Sequence, residues 1–286
     1  MRRGSTARRR VERVAVGGPD AGRRTRDDWV AVEEPLEIRL AAAGGEAHRV
    51  AVTMRTPGAD FELAAGFLYG EGLIGGAAEV ASIRYCTDAP QQYNVVSVAL
   101  APGVRFDPAL LARNFYATSS CGVCGKASLE AALGPACATV EGAFTLDPAL
   151  LLSLPALLRE AQPVFDRTGG LHGAAHFTAD GALVRAREDV GRHNALDKVL
   201  GAALLAGELP LREGVVMVSG RVGFELVQKA ARAGVAVLAG VSAPSSLAVE
   251  LAERTGMTLA GFVRGGGFNV YAGGERIASS QGGAGG

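Results

Sequence analysis

From Gly170 to Gly273 the chain alternates strand-like and helix-like patterns at a spacing that leaves few folds open to it. "GAAHFTADGALVRARED" reads as two strands around the turn Ala179-Asp180-Gly181, and "GRHNALDKVLGAALLAG" as a helix ending in glycine. The buried strand "GVVMVSG", the helix "VGFELVQKAARAG", the strand "VAVLAG" and the helix "SSLAVELAERTG" follow, closed by the strands "TLAGFVRG" and "FNVYAG". Apolar runs without polar alternation suit strands covered on both faces. Helices between them imply right-handed crossovers, so the expected fold is α/β, a sheet with parallel members and helices on both sides.

The upstream part reads differently. Between Trp29 and Leu100, "LEIRL" and "HRVAVTM" flank the turn "AAAGGEA", and "VASIRYC" pairs with "YNVVSVAL" around "TDAPQQ". Between these hairpins "ADFELAAGFLYGEGL" carries Phe61, Ala64, Ala65 and Leu68 on one helical stripe. This describes a smaller α+β unit. Farther on, "DPALLLSLPALL" opens with Asp147 as N-cap and Pro148 at the first helical position. The expected organisation is a flexible Arg-rich arm over 1–26, an N-terminal α+β domain over 27–112 and a cysteine-bearing loop over 113–135. An α/β domain over 136–276 and a flexible tail over 277–286 complete it.

With 286 residues, 48 % of them hydrophobic, the chain can bury about three quarters of its unfolded surface without metals or disulfides. No apolar run reaches the roughly 18 to 20 residues of a membrane span, and the basic start lacks the apolar centre of a secretory signal. The expectation is a soluble, cytoplasmic protein with no membrane partner. Net charge is zero, but the first 26 residues hold nine Arg against Glu12 and Asp20, so the remainder is acidic by the same margin. An acidic body argues against nucleic acid as a partner.

The cysteines bear on function. Cys86 and Cys137 stand alone and read as small hydrophobes. Cys121 and Cys124, in "SSCGVCGKASL", sit three apart with Gly122 between them and Gly125 after them, which places both thiols on one turn. In a reducing compartment such a pair points to redox, sulfur-handling or metal chemistry. The thioredoxin pattern wants a preceding strand and an aromatic neighbour, whereas Ser119 and Ser120 precede this pair. A zinc reading would add His172 and His176, but 47 residues separate Cys124 from His172, far from finger spacing.

Two segments read either as anion sites or as plain turns, the first a strand-to-helix turn with a surface Arg and the second an irregular glycine turn or bulge. "VVMVSGRVGFEL" runs from a strand through Ser219, Gly220 and Arg221 into a helix, where free N–H groups, a hydroxyl and a guanidinium meet. "GFVRGGGFNVY" sets Arg264 before three glycines with no helix following, so it is neither a P-loop nor a dinucleotide fingerprint. "EDVGRHNALDK" groups Glu188, Asp189, Arg192, His193, Asp197 and Lys198, either as ligand contacts or as an ion-paired helix start.

Taken together and in order, "SSCGVCGKASL", "GGLHGAAHF", "EDVGRHNALDKVLG", "SGRVGFELVQKAARAGVAVLAGVSAPSSLAVELA" and "TLAGFVRGGGFNVYAG" resemble the formate dehydrogenase accessory sulfurtransferases, the FdhD family. The likeness runs from about residue 30 to 275 and leaves out the Arg-rich arm and the glycine tail. It implies a cytidine-deaminase-like three-layer α/β domain, a homodimer, and a sulfurtransferase with a cysteine persulfide intermediate. Sulfur would come from a cysteine desulfurase and pass to the molybdenum cofactor, bis-molybdopterin guanine dinucleotide, before the catalytic subunit of formate dehydrogenase receives it. The cofactor would be a bound substrate, with no catalytic metal belonging to the chain. By motif, Cys121 would hold the persulfide, Cys124 would be its partner thiol, and Phe262, Val263, Arg264, Gly265, Gly266 and Gly267 would contact the cofactor. Ser219, Gly220, Arg221, His172, Asp189 and His193 complete the expected binding set. The alternatives are a cofactor-binding chaperone with dispensable thiols and a zinc-dependent deaminase.

Overall fold

The structure, a computed structural model, describes residues 4–18, 21–87, 93–105, 139–142 and 144–279. Its larger sheet has the order β12-β11-β10-β9-β7-β8. The strands are β7 (His172–Phe177), β8 (Leu183–Asp189), β9 (Val215–Val218), β10 (Val237–Gly240), β11 (Thr258–Arg264) and β12 (Gly267–Ala272). Every residue of β9 and β10 is buried, so both faces at the sheet's centre are covered, as their unbroken apolar runs require. β9, β10 and β11 run parallel, while β7, β8 and β12 are antiparallel to their neighbours. Because β7 opposes β9, with Ala174 facing Val218, the start of β7 lies at the edge where the parallel strands end.

Helices α2 (Pro148–Glu160), α3 (Pro163–Thr168), α4 (Arg192–Leu205), α5 (Phe224–Arg232) and α6 (Ser246–Thr255) belong to this part. Asp147 caps α2 by accepting from the Ala149 N–H at 2.8 Å, with Pro148 inside the first turn. Ser245 caps α6 through the Ala248 N–H, and Gly256, at φ 68°, ends it in the left-handed conformation that glycine tolerates.

The smaller sheet has the order β4-β3-β6-β5, built from β3 (Glu34–Ala41), β4 (Ala47–Arg55), β5 (Val80–Tyr85) and β6 (Val95–Leu100). Helix α1 (Asp60–Gly70) joins this unit to the larger one by packing against α4. A Cβ placed on Gly66 would sit 1.9 Å from the Asp197 carbonyl oxygen, and one on Gly201 1.9 Å from the Glu62 carbonyl oxygen. The two backbones touch, and a continuous set of buried side chains runs from Leu36 in β3 to Ala260 in β11.

Buried ion pairs flank the crossing. Lys229 of α5 donates to both Asp197 carboxylate oxygens at 2.9 Å and lies 3.3 Å from Glu71 at the end of α1. Lys198 pairs with Asp189 at 2.6 Å and donates to the Thr56 carbonyl. Arg55 binds Asp60 through two bonds and the Asn94 side chain through a third. Such pairs add little net stability against apolar substitutes, but leaving one partner alone costs about 3 to 5 kcal/mol. They therefore specify one arrangement of the helices.

Two expectations at the termini are corrected. Most of the Arg-rich segment forms β1 (Thr6–Ala15) and β2 (Gly22–Ala31), an antiparallel ribbon with Thr6 opposite Ala31 and Ala15 opposite Gly22. Cross-strand pairing satisfies the backbone groups that face the partner strand, and Trp29 at its base lies under the Arg167 guanidinium of α3, 5.0 Å from the ring centre. At the other end Ile277 lies beside Leu146, whose N–H donates to the Arg276 carbonyl and whose carbonyl accepts from the Ala278 N–H, so the tail begins later than the sequence suggests.

The helix crossing makes a prediction with a distinctive sign. Replacing a mid-helix glycine by alanine ordinarily stabilises a helix by about 1 kcal/mol. Gly201→Ala and Gly66→Ala are expected instead to cost about 3 kcal/mol each in urea unfolding, because the methyl group must push two backbones apart. A gain in stability would mean that the helices are not in contact.

Candidate functional site

Two strand-to-helix loops and the end of β11 meet at the carboxyl edge of the parallel strands, and backbone hydrogen bonds lace them together. After β9, Ser219 bonds to Gly173 of β7 twice, its N–H donating to the Gly173 carbonyl and its hydroxyl accepting from the Gly173 N–H, both at 2.9 Å. Next, the Val222 N–H donates to the Ala243 carbonyl and the Ser245 N–H to the Val222 carbonyl, joining the loop after β9 to the loop after β10. The Phe262 N–H then donates to Ser242, which attaches the end of β11. A Cβ on Gly240 would lie 2.6 Å from a Val222 methyl, so the loops pass too closely for a side chain there. The starts of α5 and α6 are thus held side by side, and helix N-termini favour anions.

The edge continues through the glycine turn of the last hairpin. Gly265 and Gly266 have φ of 60° and 85° and form a two-residue turn flanked by Arg264 opposite Gly267. Positive φ at both central positions is the conformation that suits tight hairpins and that glycine adopts freely. Just before it the register slips, Val263 turns fully inward, and Phe262 takes φ 54°, a left-handed conformation uncommon for a bulky residue. The exposed Arg264 guanidinium lies 5.5 Å from the Phe262 ring centre. A flat apolar ring, a cation and a turn without side chains are therefore presented together.

On the other side of the loop after β9 stand the histidines. The His172 ring is the nearest neighbour of Gly220, whose Cβ would lie 3.4 Å from Nδ1. His193, in the first turn of α4, approaches Glu225 of α5 through Nε2 at 3.1 Å. Burial, with the nearby Arg192 and Lys229 charges, lowers His193 to about 4. Burial and Arg192 also lower His172, against the opposing pull of Asp189. Both rings are neutral at pH 7, and His193 Nε2 lies 3.1 Å from a Glu225 carboxylate oxygen. Beneath them, burial holds the Asp197 carboxyl above the ordinary range while Lys229 works against it. Burial also acts to lower Lys229, but Asp197 and Glu71 outweigh it and the net shift is upward.

Of the residues singled out from sequence, His172, His193, Ser219, Gly220, Arg221, Phe262, Arg264, Gly265, Gly266 and Gly267 share this edge. Arg221 is exposed at its rim. Asp189 is corrected: it is wholly buried, and its carboxylate accepts from Thr56 N–H, Gly191 N–H and Asn194 while pairing with Lys198. It holds the start of α4 rather than a ligand. Glu188 likewise accepts from the Val164 and Phe165 N–H groups at the start of α3. His176 lies on the same strand as His172 but about 13 Å along it, buried beside Gly214 and lowered to about 4 by burial and Arg185. Cys121, Cys124 and Cys137 lie outside the described residues.

Sequence reasoning passed over Glu225 and the loop 241–245. The loop had a readable signal, since "GVSAPSS" follows a buried strand and opens a helix as "SGRVG" does. Glu225 had none, because its link to His193 spans 32 residues of sequence.

The fold and this loop-laced edge define a class, and the sequence comparison identifies it: the chain belongs to the FdhD/NarQ family, whose profile matches residues 31–278. Among its relatives, the sulfur carrier protein FdhD of Streptomyces avermitilis is 56 % identical over 279 residues, covering 96 % of each chain. That of Mycobacterium tuberculosis is 49 % identical over 285 residues, covering 96 % of this chain and 99 % of the other. A crystal structure from Desulfotalea psychrophila, described as a candidate formate dehydrogenase accessory protein, superposes with a TM-score of 0.72 at 29 % identity. It matches 96 % of this chain and 99 % of its own.

The geometry separates two kinds of residue by experiment. Asp189→Asn is expected to lower stability by about 3 kcal/mol, leaving Lys198 buried without its counter-charge, while the folded fraction binds GDP as the unsubstituted chain does. Arg264→Ala should leave stability unchanged and weaken GDP binding by about tenfold, the loss of one charge-assisted contact. The reverse pattern in calorimetric titration would interchange the two roles.

Proposed function

We propose that this chain carries sulfur from a cysteine desulfurase to bis-molybdopterin guanine dinucleotide, for delivery to the catalytic subunit of formate dehydrogenase. The observation that carries the reading is the laced edge. The N-termini of α5 and α6, the Arg221 and Arg264 guanidiniums and the side-chain-free Gly265–Gly266 turn form a receptor suited to a polyanion that ends in a flat base. The names of the relatives, sulfur carrier proteins, agree with it.

In this reading each side chain has a task. Arg221 and the N–H groups that open α5 take phosphate oxygens, and Gly220 lets the backbone approach them. Phe262 and Arg264 flank the base. His172 and His193, neutral at pH 7, add hydrogen-bonding capacity without adding a second layer of cations. Glu225 accepts the His193 proton donor, fixing which ring nitrogen remains available to the bound substrate.

The sulfur chemistry rests with Cys121. Its thiolate attacks the outer sulfur of the donor's cysteine persulfide; a new S–S bond forms on Cys121 and the donor leaves as cysteine thiolate. The outer sulfur then passes to the cofactor substrate at the sulfide level, as the Cys121 S–S bond breaks under attack by a second thiolate that supplies the two electrons and ends in a disulfide with Cys121. If Cys124 attacks Cys121, sulfur departs as hydrosulfide and a Cys121–Cys124 disulfide remains, which a dithiol reductant returns to two thiols. The protein acts in the cytoplasm and as a homodimer on this account.

Mass spectrometry after incubation with a cysteine desulfurase and cysteine tests the assignment. Each sulfur acquired adds about 32 Da, and the added mass should map to Cys121 and disappear in Cys121→Ala, while Cys86→Ala and Cys137→Ala load normally. Undiminished loading at another cysteine in Cys121→Ala would remove the first thiol from its role. A chain that never gains sulfur yet still binds the cofactor would instead be a chaperone.

A further inference from the structure

The proposed function leaves one cation at this edge unused. Arg192, the first residue of α4, is half-buried with its Nε enclosed by protein, and among the described residues it makes no hydrogen bond or ion pair. Other enclosed arginines behave differently. Arg55, Arg187, Arg232 and Arg276 each donate to a carboxylate or a carbonyl. A guanidinium keeps its charge at any physiological pH, and withdrawing its donors from water without an acceptor costs free energy. An acceptor brought by a ligand removes that cost.

Its neighbours place it at the far end of the laced edge. The Arg192 charge lies close enough to His172 and His193 to lower both, so two neutral imidazoles stand around it. The His172 ring is also the neighbour of Gly220, whose Cβ would lie 3.4 Å from Nδ1, and His193 reaches Glu225 in the first turn of α5 at 3.1 Å. Neither nearby acid serves the guanidinium. Asp189 is held by Lys198 and Asn194, and Glu225 faces His193. The strands β11, β10, β9 and β7 are successive neighbours in the sheet, so Phe262 and His172 stand three strand intervals apart, about 14 Å across the edge.

We propose that Arg192, together with His172 and His193, binds the terminal phosphate of a nucleoside diphosphate and makes the edge select a diphosphate over a monophosphate. The inference deepens the reading of the edge as a receptor for a guanine dinucleotide, and it rests on that reading. With the base at Phe262 and Arg264 and the first phosphate at Arg221 and the start of α5, the second phosphate falls on the β7 side, where a planar guanidinium can hold two of its oxygens. Neutral imidazoles beside it add hydrogen bonds without repelling the arginine. In a dinucleotide this phosphate joins the nucleoside to the rest of the molecule, so Arg192 fixes the point from which the remainder departs.

Calorimetric titration of the whole chain with GDP, GMP and inorganic pyrophosphate tests this. The unsubstituted chain is expected to bind GDP about tenfold or more tightly than GMP, a difference of one charge-assisted contact. Arg192→Gln should weaken GDP and pyrophosphate by about tenfold while GMP changes by less than about twofold. Arg84→Gln, the same charge change at an exposed position of the smaller sheet, should leave all three unaltered. If Arg192→Gln does not fold, Arg192→Met keeps the packing of the stem without the charge, with the same expectation. Equal losses for GDP and GMP would overturn the proposal, since a residue that merely shaped the start of α4 would affect both nucleotides alike; so would unchanged GDP binding. The underlying reading fails separately. A chain that binds pyrophosphate through Arg192 but neither guanine nucleotide would defeat the guanine reading and leave the phosphate subsite standing, whereas a variant that keeps the full preference for GDP would do the reverse.

Discussion

Everything at the candidate site hangs from the contact between α1 and α4. Two glycines let the helix backbones meet, and no other residue pair would bring the Asp197 carbonyl and Gly66 so close. This contact sets where α4 begins, and its first turn carries Arg192, His193 and Asn194. Asn194 donates to the Met54 carbonyl of the smaller unit and to Asp189, so the start of α4 is tied to both units at once. The buried lysine pairs then lock the arrangement. They contribute less by attraction than by making every alternative costly, because each would leave a charge without a partner.

Upon that frame the carboxyl edge of the parallel strands acquires its chemistry from short-range geometry. Strands that end together release their loops together, and the hydrogen bonds from Val222 to Ala243, Ser245 to Val222 and Phe262 to Ser242 turn two loops and the end of β11 into one surface. The positive φ of Phe262 is a local cost borne where the register of β11 against β12 slips. Burial keeps His172 and His193 neutral, so the cationic character of the surface comes from arginines, which retain charge at any physiological pH.

Much of this was legible in the residues. The unbroken apolar runs of β9 and β10 announced a doubly covered sheet, and the rule that ligands sit beyond strand ends directed attention to Ser219, Gly220 and Arg221. What escaped notice was non-local. Gly66 and Gly201 look like ordinary helix-interior glycines until the helices are crossed. Asp189 resembles a ligand because Lys198, its partner, lies a full nine residues on and faces it only after α4 has formed. The ribbon was read as a solvated end because an exposed strand pair carries no apolar alternation, and its stability comes from pairing across a turn and from one cation–π contact at its base.

Hydrogen–deuterium exchange of the whole chain with and without GDP tests the central claim most directly. The account predicts slower exchange on binding at the N–H groups of residues 220–225, 242–247 and 262–267, with α1 and the four-stranded sheet unchanged. Protection confined to the smaller sheet or to the ribbon, with the laced loops unaffected, would contradict it.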